Sequence, residues 1–114
     1  MSIEETLETL VRAGLGSLTG GGAEIFAEPT RSEICKGKQS AEDWLGVHRI
    51  AHNMGLSSTC TMLYGHIETD ADRVDHILQY GLDNNIPLDE LKDIVDSIPN
   101  TTQKKNFQAT KLLK

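Results

Sequence analysis

Thr59-Cys60-Thr61-Met62-Leu63-Tyr64-Gly65-His66-Ile67-Glu68-Thr69 is the stretch whose reading decides the fold. An apolar run rich in β-branched residues stops at Gly65, and polar groups crowd in behind it. Gly55-Leu56-Ser57-Ser58 leads in as a helix stop followed by a strand start. Asp70-Ala71-Asp72-Arg73-Val74-Asp75 follows, with the acids that favour a helix's first turn. The order is strand, loop, helix. In a parallel α/β sheet, ligands bind at the loops after the carboxyl ends of strands. Tyr64, His66 and Glu68 are therefore candidate site residues, with Gly65 free to take a positive φ or to let backbone approach a ligand.

Upstream, Ser40 caps a helix predicted to run to about Met54, with Asp43 at the capping-box position and Gly55 as the stop. Trp44, Val47, His48 and Ala51 share one face of it. His48 and His52, four apart, have the spacing of metal ligands. No Glu follows His48 as the zinc hydrolase motif requires, and no third ligand is evident, so packed or surface histidines are expected and no metal. Glu28 to Cys35 suits a short helix with Pro29 in its first turn. Before it, Thr19-Gly20-Gly21-Gly22-Ala23-Glu24 follows Leu15-Gly16-Ser17-Leu18, a short strand at most. A glycine run alone marks a flexible loop or a close backbone approach. It lacks the Gly-Lys-Ser/Thr of a P-loop and the glycine spacing of a dinucleotide fingerprint. An N-terminal helix from Ser2 to Ala13 carries Ile3, Leu7, Leu10 and Val11 at helical spacing.

Downstream, a helix is expected from about Ala71 to Gln79, with Gly81 as its stop, and another from about Pro87 with Leu88, Leu91, Ile94, Val95 and Ile98 as one stripe. Pro99-Asn100-Thr101-Thr102 breaks it, and Gln103 to Lys114 is expected to form a basic, flexible tail. Two parallel strands do not make a stable sheet alone, so the chain reads as part of something larger.

The 114 residues carry a formal net charge of −6, unevenly spread. Residues 1–98 net −10, while residues 99–114 hold four lysines and no acid. The acidic balance argues against nucleic-acid binding. No apolar run approaches the roughly 20 residues of a membrane span, and Ile3-Glu4-Glu5 is acidic where a secretory leader is basic. Cys35 and Cys60 make no disulfide framework; reduced thiols and a cytoplasmic location are expected.

Several longer stretches carry a resemblance: residues 15–26 around the glycine run, Ile34-Cys35-Lys36-Gly37-Lys38 with residues 41–49, and Thr61 to Thr69 followed by Arg73-Val74-Asp75-His76. In that order they resemble the radical S-adenosylmethionine enzymes of the futalosine route to menaquinone, over residues 4 to about 78. The resemblance is strongest to the aminofutalosine synthases, with the dehypoxanthine futalosine cyclases, or a non-catalytic remnant or subunit, as alternatives. It implies an α/β fold, a fragment of a radical-SAM (β/α) TIM-type barrel with two parallel strands and flanking helices; past about Gln79 the resemblance stops, and the residues there read as a helical C-terminal tail. Residues 1–80 would be the barrel segment and residues 81–114 a helix plus tail. The implied cofactors are S-adenosylmethionine and a 4Fe-4S cluster, and the implied reaction adds a 5′-deoxyadenosyl radical to a carboxyvinyloxy-benzoate.

By the same resemblance Glu24, Leu63, Gly65 and Glu68 would bind the cofactor, Glu24 through ribose or the amino group and Glu68 as the acid that orders the loop. Tyr64 and His66 would contact a small-molecule substrate, or else serve as structural polar groups in the loop. The family's Cys-x3-Cys-x2-Cys motif is absent, and two cysteines 25 apart cannot supply three ligands on one short loop. Alone, the chain is expected to be inactive and to need the missing barrel half or self-association.

Overall fold

The computed structural model describes residues 1–97 and 107–113. Its elements are α1 (Ile3–Arg12), β1 (Ser17–Leu18), α2 (Thr30–Ile34), α3 (Ala41–Asn53), β2 (Ser57–Tyr64), α4 (Asp70–Asp83), α5 (Leu88–Asp96) and β3 (Phe107–Leu113). The starts of α1, α3 and α4 follow from local chemistry. The Ser2 and Thr69 hydroxyls accept from the backbone N–H groups of Glu5 and Asp72, whose carboxylates accept from the cap N–H in return. At α3 the Ser40 hydroxyl accepts from the Asp43 N–H.

β1 and β2 pair in parallel, Ser17 opposite Ser57 and Leu18 opposite Ser58, as the strand–helix–strand order predicts. Successive β2 side chains alternate between faces. Ser58, Cys60, Met62 and Tyr64 turn toward the helices, and Thr59, Thr61 and Leu63 take the other face. Trp44 of α3 and Tyr80 of α4 join Cys60, Phe26, Leu45 and Ala23 in one core cluster. Leu7 of α1 packs with Ala51 and Leu56 in a second, and Ile25 with Met62 and Tyr64 in a third.

Two expectations need correction. α4 runs through Gly81 to Asp83, so Gly81 is no stop. A Cβ there would overlap the Leu91 side chain, and glycine lets α5 close on α4. At the C-terminus the expected helix-and-tail is wrong at residues 107–113, which form β3, antiparallel to β2, from Ser58 opposite Leu113 to Tyr64 opposite Phe107. The sheet order is β1-β2-β3, two parallel strands and an antiparallel edge. The break at residues 99–102 and the start of the tail, 103–106, lie outside the described residues.

Candidate functional site

The glycine loop runs on from β1 alongside β2, and it is wired rather than flexible. Every carbonyl from Gly20 to Ile25 accepts a hydrogen bond from elsewhere in the chain. The Thr61 hydroxyl donates to Gly20 (2.7 Å), Trp44 Nε1 to Gly21 (3.0 Å) and the Leu63 N–H to Glu24 (2.7 Å). Arg31 takes the rest, donating to the carbonyls of Gly22 (3.1 Å), Ala23 (2.6 Å) and Ile25 (2.9 Å). Its two remaining N–H groups reach the Gln39 carbonyl at 3.2 and 2.7 Å, so all five guanidinium donors end on backbone oxygen. Arg31 is only 2 % exposed and lies over the Phe26 ring.

This wiring explains the glycines. A Cβ at Gly20 would collide with the backbone of Thr59, so the close approach to β2 requires glycine. Gly22 sits at φ +87°, where other residues are strained. Glu24 itself occupies the left-handed region at φ +50°, an uncommon conformation for a non-glycine residue, and neighbours on both sides hold it there. Its carboxylate is 3.6 Å from Lys38 Nζ. Lys38 also lines a cleft of about 310 Å³ bounded by residues 28, 31, 32 and 35–40.

The loop after β2 is ordered in the complementary way. The Glu68 carboxylate accepts from the Gly65 N–H (2.9 and 3.2 Å) and the His66 N–H (2.8 Å). Arg73 Nε, from the first turns of α4, donates to it at 3.0 Å. Burial by itself would raise the carboxyl's pKa, but the bonds from His66, Arg73 and Gly65 outweigh it and hold the group below the usual carboxylate range. Gly65 has φ +86°, which the turn into the loop needs. His66 Nδ1 accepts from the Glu68 N–H (3.3 Å), so Nε2 carries the proton donated to the Leu63 carbonyl (2.8 Å).

Of the residues singled out from sequence, Glu24 and Leu63 come together where the glycine loop runs beside the end of β2, and Gly65 follows two residues after Leu63. His66 lies in the same loop, its ring nitrogens engaged with backbone. Both acids are buried, Glu24 8 % and Glu68 7 % exposed: Lys38 stands beside the carboxylate of Glu24, and backbone N–H groups and Arg73 surround that of Glu68. Glu68 orders its loop, as expected. Tyr64 is buried on the helix face of β2, opposite to Leu63, with the Arg73 guanidinium 5.1 Å over its ring. Its ring supports the loop from beneath.

Sequence reasoning missed Arg31 and the role of Arg73. Arg73 had a signal, since an Arg four places past the helix cap can reach back to an acid just before it. Arg31, in a five-residue helix, had none. Beneath the site His52 Nε2 meets the Ser58 hydroxyl (2.7 Å), which meets the Tyr80 hydroxyl (3.0 Å). His48 stacks on Trp44 and His76 on Phe26. Burial lowers both imidazole pKa values to about 4.

No protein-family model matches the chain. It is similar to the aminodeoxyfutalosine synthase of Streptomyces coelicolor, 43 % identical over 122 aligned positions that take in 96 % of the chain and 32 % of the relative. The enzyme of the same name from Thermus thermophilus is 55 % identical over 73 residues, 64 % of the chain and 20 % of the relative. A 5-amino-6-(D-ribitylamino)uracil–L-tyrosine 4-hydroxyphenyl transferase of Methanopyrus kandleri is 47 % identical over 75 residues, 66 % of the chain and 20 % of the relative. The chain is thus related to part of the aminodeoxyfutalosine synthases, and it spans a third or less of the length of these relatives. The Thermus match has the extent expected from the motifs, whereas the Streptomyces match continues past Gln79. These names favour the synthase over the cyclase.

Proposed function

We propose that this chain is the portion of an aminofutalosine synthase-like radical S-adenosylmethionine enzyme that holds the cofactor between two loops, within a (β/α) barrel whose other strands it lacks. The observation that carries this is the meeting of the glycine loop with the end of β2. There Glu24, in a left-handed conformation secured by Arg31 and by Leu63, stands beside Leu63, two residues before Gly65.

These residues suit S-adenosylmethionine. The Glu24 carboxylate would accept strongly from ribose hydroxyls or pair with an ammonium, displacing Lys38. Leu63 and the Gly65 backbone would lie against adenine, and Glu68 would keep that backbone in shape. His66 would border the substrate, and Tyr64 would act through Arg73 and Glu68. When bound and cleaved in the complete protein, the cofactor supplies the 5′-deoxyadenosyl radical that adds to the carboxyvinyloxy-benzoate double bond.

The 4Fe-4S cluster does not fit this chain. Cys35 and Cys60 are both buried, and burial pushes the Cys60 thiol up, far from the thiolate that an iron ligand must be. The chain alone is accordingly proposed to be inactive, with reduced cysteines and a cytoplasmic site of action. Among the described residues no helix is long and apolar enough to cross a membrane.

A segment exchange tests the reading. The matching region of the Streptomyces relative is replaced by residues 1–79 of this chain, and S-adenosylmethionine cleavage and product formation are measured. Retained turnover supports it; a folded, cluster-loaded chimera without cofactor cleavage refutes it.

A further inference from the structure

β2 is the central strand of the sheet, and its two edges are treated differently. On one side it pairs with β1 for only two residues, and the glycine loop then takes over the edge. The other edge is matched residue for residue by β3 over seven positions, Ser58 to Tyr64. An eight-residue strand with one bare edge is a template for pairing with another chain. An antiparallel strand is a common way to end an otherwise parallel sheet.

We propose that residues 107–113 are a built-in edge cap: an intramolecular strand that occupies the acceptor edge of β2 and keeps this domain from pairing with a second copy of itself. The inference rests on the strand register and the charge distribution, and is independent of any catalytic role. Charge favours the cap. Residues 99–114 carry four lysines and no acid, while residues 1–98 net −10, so the tail is drawn to its own body. Two bodies repel each other. Only residues 98–106 separate the described end of the body from β3, so the local concentration of the strand far exceeds that of any free competitor. A further consequence concerns assembly. Any additional strand must add on the β1 side or displace residues 107–113.

Facing Cα partners in an antiparallel pair are about 4.5–5.5 Å apart, within the range a disulfide spans. The full-length chain with Thr59→Cys and Leu112→Cys joins two such partners. Under mild oxidation we expect it to form an intramolecular disulfide, seen as a monomer that has lost two mass units and migrates faster without reductant. Thr59→Cys with Gln108→Cys, which the register places opposite Leu63 and four residues along, should crosslink at least tenfold more slowly. Equal rates, or only intermolecular crosslinks, would overturn the cap.

Amide exchange gives a second measurement. Peptide N–H groups alternate between the two edges of a strand, and Leu63 donates to Glu24 on the β1 side. The amides of Ser58, Cys60, Met62 and Tyr64 therefore point to β3. In the full-length Ala109→Pro variant, which removes the N–H that faces Met62, these four should lose protection at least tenfold, while α3 and α4 keep theirs, and light scattering should show dimers or larger species. Molar salt, which screens the attraction, should shift the wild-type chain the same way. Unchanged protection of those four amides with an unchanged monomer would sink the proposal.

Discussion

The two loops of the site are ordered by opposite charges acting on opposite backbone groups. In the glycine loop a cation gathers carbonyls: Arg31 collects those of Gly22, Ala23 and Ile25 and ties them to Gln39. In the loop after β2 an anion gathers N–H groups, with Glu68 collecting those of Gly65 and His66. The anion is then neutralised by Arg73, whereas the cation's donors all go to peptide oxygen. A loop that must present carbonyls inward takes a buried arginine, and one that must present amides inward takes a buried carboxylate.

The largest expected effect is at the arginine that serves carbonyls alone. Arg31→Met should destabilise the chain by about 4 kcal/mol, because several buried acceptors lose charge-assisted partners together. Arg31→Lys should recover little of that, since an ammonium cannot span the same fork of acceptors. Urea unfolding measures both. A loss below about 1 kcal/mol in either variant would show that water replaces the guanidinium and that the glycine loop does not depend on it.

Next comes the neutralised pair. Glu68→Gln should cost about 3 kcal/mol, because it removes the buried charge that faces the Arg73 guanidinium and weakens the Gly65 and His66 bonds. Adding Arg73→Met should return part of the loss, which a double-mutant cycle reads as coupling. Strict additivity would break the comparison by showing that Arg73 does nothing for the loop through Glu68.

Acid distinguishes the platform beneath from the loops above. His48 and His76 have folded pKa values of about 4, below the unfolded value near 6.5. The unfolded state therefore binds more protons between those values. Stability is full above about pH 6.5 and falls as the pH drops toward 4. Between pH 7 and pH 5 the loss should be about 2 kcal/mol per histidine. Glu68, held low, adds its own loss only below about pH 4.5. His76→Gln should flatten the upper part of the profile, and a profile it leaves unchanged would remove His76 as a source.

The smallest effect is expected at the residue the glycine loop presents. In the Streptomyces relative, the change equivalent to Glu24→Gln should weaken S-adenosylmethionine binding by roughly 1–2 kcal/mol, with little change in stability. Calorimetry showing equal affinity would take Glu24 out of the site.

Sequence and tertiary structure contributed at different ranges. Ser2, Ser40 and Thr69 announce their helices because a cap bonds to a backbone group three residues away. The strand from Ser57 to Tyr64 was legible for the same reason, since alternation and glycine stops are local; its parallel pairing with β1 was expected from the strand–helix–strand order, and Glu68 as the loop-ordering acid from the resemblance alone. Gly81 was misread because a helix stop and a helix–helix contact both call for glycine, and only the position of Leu91 separates them. Tyr64 was assigned to a site because it neighbours Gly65 in sequence, although alternation along β2 turns it to the opposite face.

What the sequence determined by itself was the order of elements as far as α5, the caps of α1, α3 and α4, and the uneven charge. Only the tertiary structure decided that Arg31 threads five bonds onto two separate backbone segments, that both carboxylates are buried, and that residues 107–113 form the third strand. Each of these depends on groups beyond the reach of a helix cap, from the six to nine residues between Arg31 and its carbonyls upward, or on which face a residue takes. A hydrogen bond across such a distance leaves no periodic trace, because any arginine that folding brings to those carbonyls would serve equally well.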